Sequence, residues 1–254
     1  MTDWAALERE LDRWHAQGQV ATLWLRDDDA CRDTPALRRL LTIARAHAVA
    51  VAIAAIPATL DATLAGALSR FGEATVVQHG YAHRNHAAAG ERSAELGDGR
   101  DVDVRLDELR RGCAMLRSEF GDRFLPVLVP PWNRAGDALL PSLARAGFAG
   151  LSRFGPRPAI EAAPGLRQVN THVDPIAWRR DRAFIGADAA LERLISHLGA
   201  RRERTCDAAE PTGFLTHHLA FDDAAWDFVD ALLARTCTHP AAAWVDAGHA
   251  FAFG

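Results

Sequence analysis

The sequence predicts an α/β fold: one domain over residues 1–254, a single barrel of about seven parallel strands wrapped by helices. Three observations predict it. Short apolar, β-branched runs alternate with amphipathic helical stretches from end to end. The runs lack in-out alternation, as strands covered on both faces do. The polar residues suited to chemistry stand at the C-terminal ends of those runs, the face on which such barrels carry their sites.

The elements follow in order. Trp4, Leu7, Leu11 and Trp14 recur at helical spacing, and Gly18 stops the helix. "VATLWLRDDDA" (20–30) is a buried strand ending in acids. "DTPALRRLLTIARAHA" is a helix with Asp33 or Thr34 as N-cap and Pro35 at its first position. "VAVAIAAIP" and "TVVQH" are the second and third strands. Residues 87–101 form a long irregular segment, a length often tied to function. "VDVRLDELRRGCAMLRSEFG" is a helix with Leu106, Leu109, Cys113 and Leu116 inward. "PVLVPPWN" is the fourth strand, ended by its prolines. "DALLPSLARAGF" is helical, and "GLS" and "LRQVNTHV" are short strands. "DAALERLISHLGARRER" is a helix, "TGFLTHH" the last strand, and "DDAAWDFVDALLARTC" the final long helix.

Composition narrows the function. A chain of 254 residues that is 49% apolar buries a sizeable core. A net charge of -4 and a pI of about 6.2 argue against nucleic acid as the main partner. Four scattered cysteines, without metal-finger spacing, fit a reducing compartment better than a disulfide framework. No apolar run approaches the roughly 20 residues of a membrane span. The start of the chain is acidic and amphipathic, unlike a secretory signal. The expectation is a cytoplasmic protein without a membrane partner.

The histidines mark the chemistry. "VVQHGYAHRNH" packs three into eight positions, and His79 and His83 stand four apart. On a helical turn that spacing sets two imidazoles on one side, where a metal ion could take both. Further candidates end other strands: Asp27, Asp28 and Asp29; Pro131, Trp132 and Asn133; His172 and Asp174; His217 and His218.

That order resembles the polysaccharide deacetylases, the NodB-homology family of carbohydrate esterases (family 4), from about residue 20 to about residue 220. "RDDDA" looks like the family's Asp-Asp motif, and "HGYAH" is similar to His-Ser/Thr-x-x-His with Gly80 at the hydroxyl position. "VPPWN" resembles Arg-x-Pro-Tyr, "DPIAW" the later Asp and Trp, and "LTH" the final Leu-x-His. The resemblance implies a distorted barrel and a metal-dependent deacetylase acting on an N-acetylated amino sugar or polysaccharide. Its metal, most simply Zn²⁺, would be held by one Asp with His79 and His83. Aligning "DDA" with the family's Asp-Asp-Gly makes Asp28 the base and Asp29 the ligand; the other register gives Asp27 and Asp28. His217 would be the acid, held by Asp174, with His218 able to exchange with it. Pro131, Trp132, Asn133, Trp178 and Leu215 would line the substrate pocket, although Asn133 also suits a helix cap.

The chain departs from the family where Val129 stands at the position of the Arg that holds the base. Residues two apart on a strand share a side, so Arg26 is placed to hold Asp28 instead. Two other readings accompany this one: a hydrolase of a non-sugar amide or ester on the same scaffold, and a carbohydrate-binding homologue without catalysis. The expected partner is a small molecule or glycan, and the sequence says nothing of oligomeric state.

Overall fold

In the computed structural model, which describes residues 3–253, helices and parallel strands alternate as the patterning requires. Helix α1 (Trp4–Ala16) is capped by Asp3, whose side chain accepts from Ala6 N, and buries Leu7, Leu11 and Trp14. Strand β1 (Ala21–Ala30) follows, then α2 (Pro35–Ala46), with Thr34 as its cap, and β2 (Val51–Ala55). Next come α3 (Thr63–Leu68), β3 (Ala74–His79), α4 (Val102–Phe120) and β4 (Phe124–Val129). A short α5 (Leu140–Leu143) leads to β5 (Gly150–Leu151), β6 (Glu161–Ala163) and β7 (Leu166–Gln168). The chain ends with α6 (Ala187–Arg202), β8 (Thr212–Thr216), α7 (Asp223–Thr238), β9 (Ala242–Trp244) and α8 (Ala247–Ala250). No helix of the described residues is long and apolar enough to cross a membrane.

The strands form one sheet in the order β6-β7-β5-β4-β3-β2-β1-β8, with β9 also pairing β1. Every pairing is parallel except β6 with β7. The seven strands read from the sequence are present; β6 and β9, three residues each, are additional. Neither is long enough to show a periodicity. The expected helix over 137–148 is shorter than its pattern: α5 passes into a 3-10 turn and stops at Gly147, whose φ is 95°.

The sheet curls until its far sides meet. Beyond β7, His172 N donates to Gly213 O at 2.7 Å and Leu215 N donates to Val173 O at 2.8 Å, closing the ring on β8. The seam is tight. A Cβ on Gly213 would lie 2.6 Å from Asn170 O, so only glycine lets the two backbones approach.

Trp24, Ala52, Ala54, Val77, Val127, Val129 and Val169 form a buried cluster with Ala247, Ala250 and Phe251 of the α8 region. On β1, Trp24 shares its side with Arg26 and Asp28, two and four residues on. This cluster is therefore the barrel interior below the polar end of β1, and α8 is its floor. Trp24 meets Phe251 edge to face at 5.9 Å. A second, larger cluster lies between the sheet and the outer helices. Each fully buried Leu, Val or Phe contributes about 1.5–3 kcal/mol, which is ample to hold a rim rich in buried charge.

Candidate metal centre and active site

Asp29, His79 and His83 converge. Their ligand atoms lie within 4.8 Å of one another, with Asp29 Oδ1 3.2 Å from His79 Nε2 and 3.3 Å from His83 Nε2. They do so without a helix. His79 ends β3, and the chain then turns through Gly80 (φ 55°) to reach His83 in the left-handed region (φ 53°). On β1 the pairing with β2 slips between Asp27 and Ala30, and Asp29 takes a φ of 76°. That bulge lets two successive aspartates, 28 and 29, reach the same site.

The donor set suits a divalent cation. Two ligands each about 2.1 Å from a tetrahedral ion stand about 3.4 Å apart, close to the 3.2 and 3.3 Å from Asp29 to the two histidines. His79 Nδ1 is 3.0 Å from Val129 O, which fixes the ring and leaves Nε2 facing the carboxylate. Burial opposes the charge of Asp29, but its hydrogen bond with His79 and the nearby His79, His217 and His83 hold its carboxyl well below the usual range. Burial, followed by the charge of His79, pushes His83 down, which favours a neutral imidazole with a free lone pair. Burial also opposes charge on His79, yet Asp28 and Asp29 pull its pKa up.

Asp28 lies beside this cluster, almost fully buried, with Arg26 behind it. Arg26 Nε and Nη2 donate to the two carboxylate oxygens at 2.8 and 3.0 Å. The same guanidinium donates to Ser152 Oγ at 2.7 Å and to Asn133 Oδ1 at 2.9 Å. Asn133 therefore caps no helix: the residue after it is extended, and its side chain serves Arg26. Sequence reasoning missed Ser152. It follows β5, a two-residue strand, and only the closed barrel brings it opposite β1.

Asp27 points elsewhere. It accepts from Thr216 Oγ1 at 2.8 Å and His218 N at 3.0 Å, and its Oδ2 is 2.6 Å from His218 Nδ1. Asp27 and His218 are thus a buried pair across the β1–β8 register, facing each other.

His217 stands between two acids. Its Nε2 is 4.0 Å from Asp28 Oδ2, and its Nδ1 is 4.0 Å from Asp174 Oδ1. That Nδ1 is buried without a hydrogen-bond partner and faces Asp174. Burial, ahead of the opposing charge of His217, raises the Asp174 pKa; its oxygens also accept from Ile176 N and from Trp178 Nε1 at 2.7 Å.

The expected lining residues gather around the same point. Trp178, partly exposed, packs its ring edge-on against His217 at 4.6 Å, and Trp132 lies 4.4 Å from the His83 ring. Trp132 and Asn133 both have positive φ, and the turn's hydrogen bonds begin at Asn133 N. Leu215, the register partner of Arg26, is fully buried beneath the site, and Pro131 packs on Gly80. His86 is exposed. His172 is not a site residue: its Nδ1 accepts from Gly213 N at the seam, and its ring stacks on His197.

No family model matches the sequence, and no curated protein matches it. Solved structures do match in fold. A Mycobacterium smegmatis protein assigned as a polysaccharide deacetylase superimposes with a TM-score of 0.65 at 16% identity, covering 90% of this chain and 87% of that one. A peptidoglycan N-acetylglucosamine deacetylase gives 0.58 at 14% identity, covering 95% and 96%. A family 4 acetyl xylan esterase from Clostridium thermocellum, with a cobalt ion, gives 0.53 at 13% identity, covering 91% of each chain. A family 4 pseudoenzyme from Bacillus anthracis is similar too, with a TM-score of 0.60 at 14% identity over 91% of this chain and 66% of its own. The fold is that of the polysaccharide deacetylases and family 4 carbohydrate esterases.

Proposed function

We propose that this protein is a metal-dependent hydrolase of the polysaccharide deacetylase type, removing the N-acetyl group from an acetylated amino sugar or glycan. One observation carries the reading. An Asp-His-His set, a carboxylate gripped by a buried arginine, and a histidine poised between two acids share one end of a barrel. The deacetylases of like fold support it.

Asp29, His79 and His83 would hold the cation, with Zn²⁺ the simplest choice for this donor set. A divalent cation held there would supply a Lewis acid for the acetyl carbonyl and would lower the pKa of water. Asp28 is the general base and takes the proton of the attacking water. Arg26 fixes that carboxylate in direction through two charge-assisted hydrogen bonds. The Trp132 N–H, at the head of its turn, is the donor offered to the developing oxyanion. His217 gives its proton to the departing amine, without which the amide C–N bond does not break. Asp174, 4.0 Å away, faces the otherwise unpartnered Nδ1 and is placed to hold the imidazolium. Trp178 lines the acetyl pocket, with Leu215 packed beneath it rather than lining it, while Pro131 and Asn133 shape its wall.

The test is acetate release from a panel of N-acetylated amino sugars and their oligomers by Zn²⁺-loaded and chelator-treated protein. Activity confined to the loaded protein is expected, and none in either state overturns the reading. A catalytically silent glycan-binding role is the second reading. Val129, where the family has an arginine, and the fold shared with a pseudoenzyme favour it. It expects glycan binding with no acetate released.

A further inference from the structure

We propose that Glu95 is a positioning residue for the cation site, and that residues 93–96 are a strut joining the His83 loop to the Trp132 loop. This rests on the reading of Asp29, His79 and His83 as a cation site.

Glu95 is 1% exposed, yet no described cation pairs with it. Its partners are backbone. Oε1 accepts from Ala82 N at 2.6 Å and Oε2 accepts from Tyr81 N at 3.1 Å. Both N–H groups belong to the turn between the two histidines, where the chain has left the sheet and has no strand partner for them. A carboxylate accepts at both oxygens, so one side chain fixes two successive peptide planes, and His83 follows directly.

Gly80 makes the room. A Cβ there would sit 2.0 Å from Glu95 Oε2 and 2.6 Å from Pro131 Cδ. Glycine thus occupies the position of the hydroxyl residue in the motif that "HGYAH" resembles, and the acceptors for the turn come from fifteen residues beyond Gly80 in the sequence. The missing side chain also lets Pro131 pack on the turn, bringing Trp132 to 4.4 Å from the His83 ring.

The neighbours of Glu95 complete the strut. On one side His86 N donates to Ala94 O at 2.9 Å, and Ala94 N donates to Asn85 Oδ1 at 3.0 Å. On the other, Arg134 Nη1 donates to Ser93 O at 2.6 Å and Gly136 N to Leu96 O at 2.9 Å. Arg105, almost fully buried on α4, donates to Leu96 O and Gly97 O. The middle of the 87–101 segment is therefore bound to the barrel on three sides rather than poised as a lid.

Glu95→Gln tests the assignment because it keeps shape and reverses one hydrogen bond. The carboxamide turns its NH₂ toward one of the two backbone N–H donors. Metal-depleted full-length protein is titrated with Zn²⁺, and with Co²⁺ followed by its visible absorption. Glu95→Gln is expected to weaken cation affinity by about 10- to 100-fold, as loss of a group supporting a metal ligand does, and to alter the Co²⁺ spectrum. Glu95→Asp, which withdraws both acceptors by one methylene, is expected to weaken it as well. Glu91→Gln, an exposed change in the same segment, is expected to match wild type. Wild-type affinity and spectrum in either folded Glu95 variant, even with a lowered melting temperature, overturns the proposal. Wild-type protein that takes up neither ion overturns the cation reading itself, and this inference with it.

Discussion

Asp27, Asp28 and Asp29 are identical in chemistry and differ in what the backbone aims them at. Asp27 faces Thr216 and His218, Asp28 faces Arg26, and Asp29 faces the two histidines. Three variants should therefore fail in three ways. Asp29→Asn should lose the cation, read as metal per chain. Asp28→Asn should keep it and lose about 10²–10⁴-fold in turnover, the usual worth of a general base. Asp27→Asn should bind the ion but lose about 3–5 kcal/mol of stability in urea melts, because it breaks a buried pair. Equal effects from all three would refute the division. The sequence allowed two registers for the aspartates, since strand spacing predicts sides and cannot foresee a bulge at Asp29. The Arg26–Asp28 contact was legible because it is local, two residues apart on one strand. Ser152, Glu95 and the His218 partnership were not, because each depends on barrel closure or on the path of a loop.

Among the elements, the long runs were legible, as were the short strands β5 and β7, but three other short elements were not. α2, α4, α6 and α7 show their period and β1 its unbroken apolar run, and α2 also shows its cap in the sequence. α3, β6 and β9 span six residues or fewer and carry no pattern that distinguishes them from loop. The seam is the element with the sharpest consequence. His172 and His197 stack at 3.5 Å where the chain after β7 meets β8 and α6, with His197 Nδ1 3.0 Å from Thr212 Oγ1. Burial depresses both, His197 to about 2, with the His172 charge next in effect. In the unfolded chain each titrates near 6.5. Below that pH the unfolded state binds protons that the fold refuses, so their contribution is complete above about 6.5 and falls with acid by up to about 1.4 kcal/mol per pH unit for each histidine. Urea midpoints between pH 7.5 and 5 should therefore drop steeply, and less steeply in His197→Phe. An unchanged slope in that variant would contradict the role given to the seam.

At the scale of the whole molecule, the parallel ring delivers residues nearly two hundred positions apart to one rim, while α8 and Phe251 close the other end. The gathering of strand ends was legible from fold class alone; the distances were not, because they depend on positive φ at Asp29, His83 and Trp132. A site that clusters ionisable groups in the folded state and disperses them on unfolding ties cation binding to stability. At a free ion concentration 100 times the dissociation constant the fold gains about 2.7 kcal/mol, roughly 5–10 °C in melting temperature for a chain of this size. A Zn²⁺-dependent rise of that order is expected for wild type and none for Asp29→Asn. The most direct measurement is the number of ions held per chain after chelator treatment, reloading with Zn²⁺ and desalting. One ion per chain in wild type, and close to none in Asp29→Asn and His83→Ala, is the expected result. No retained ion in wild type, or as much in the variants, would contradict the account.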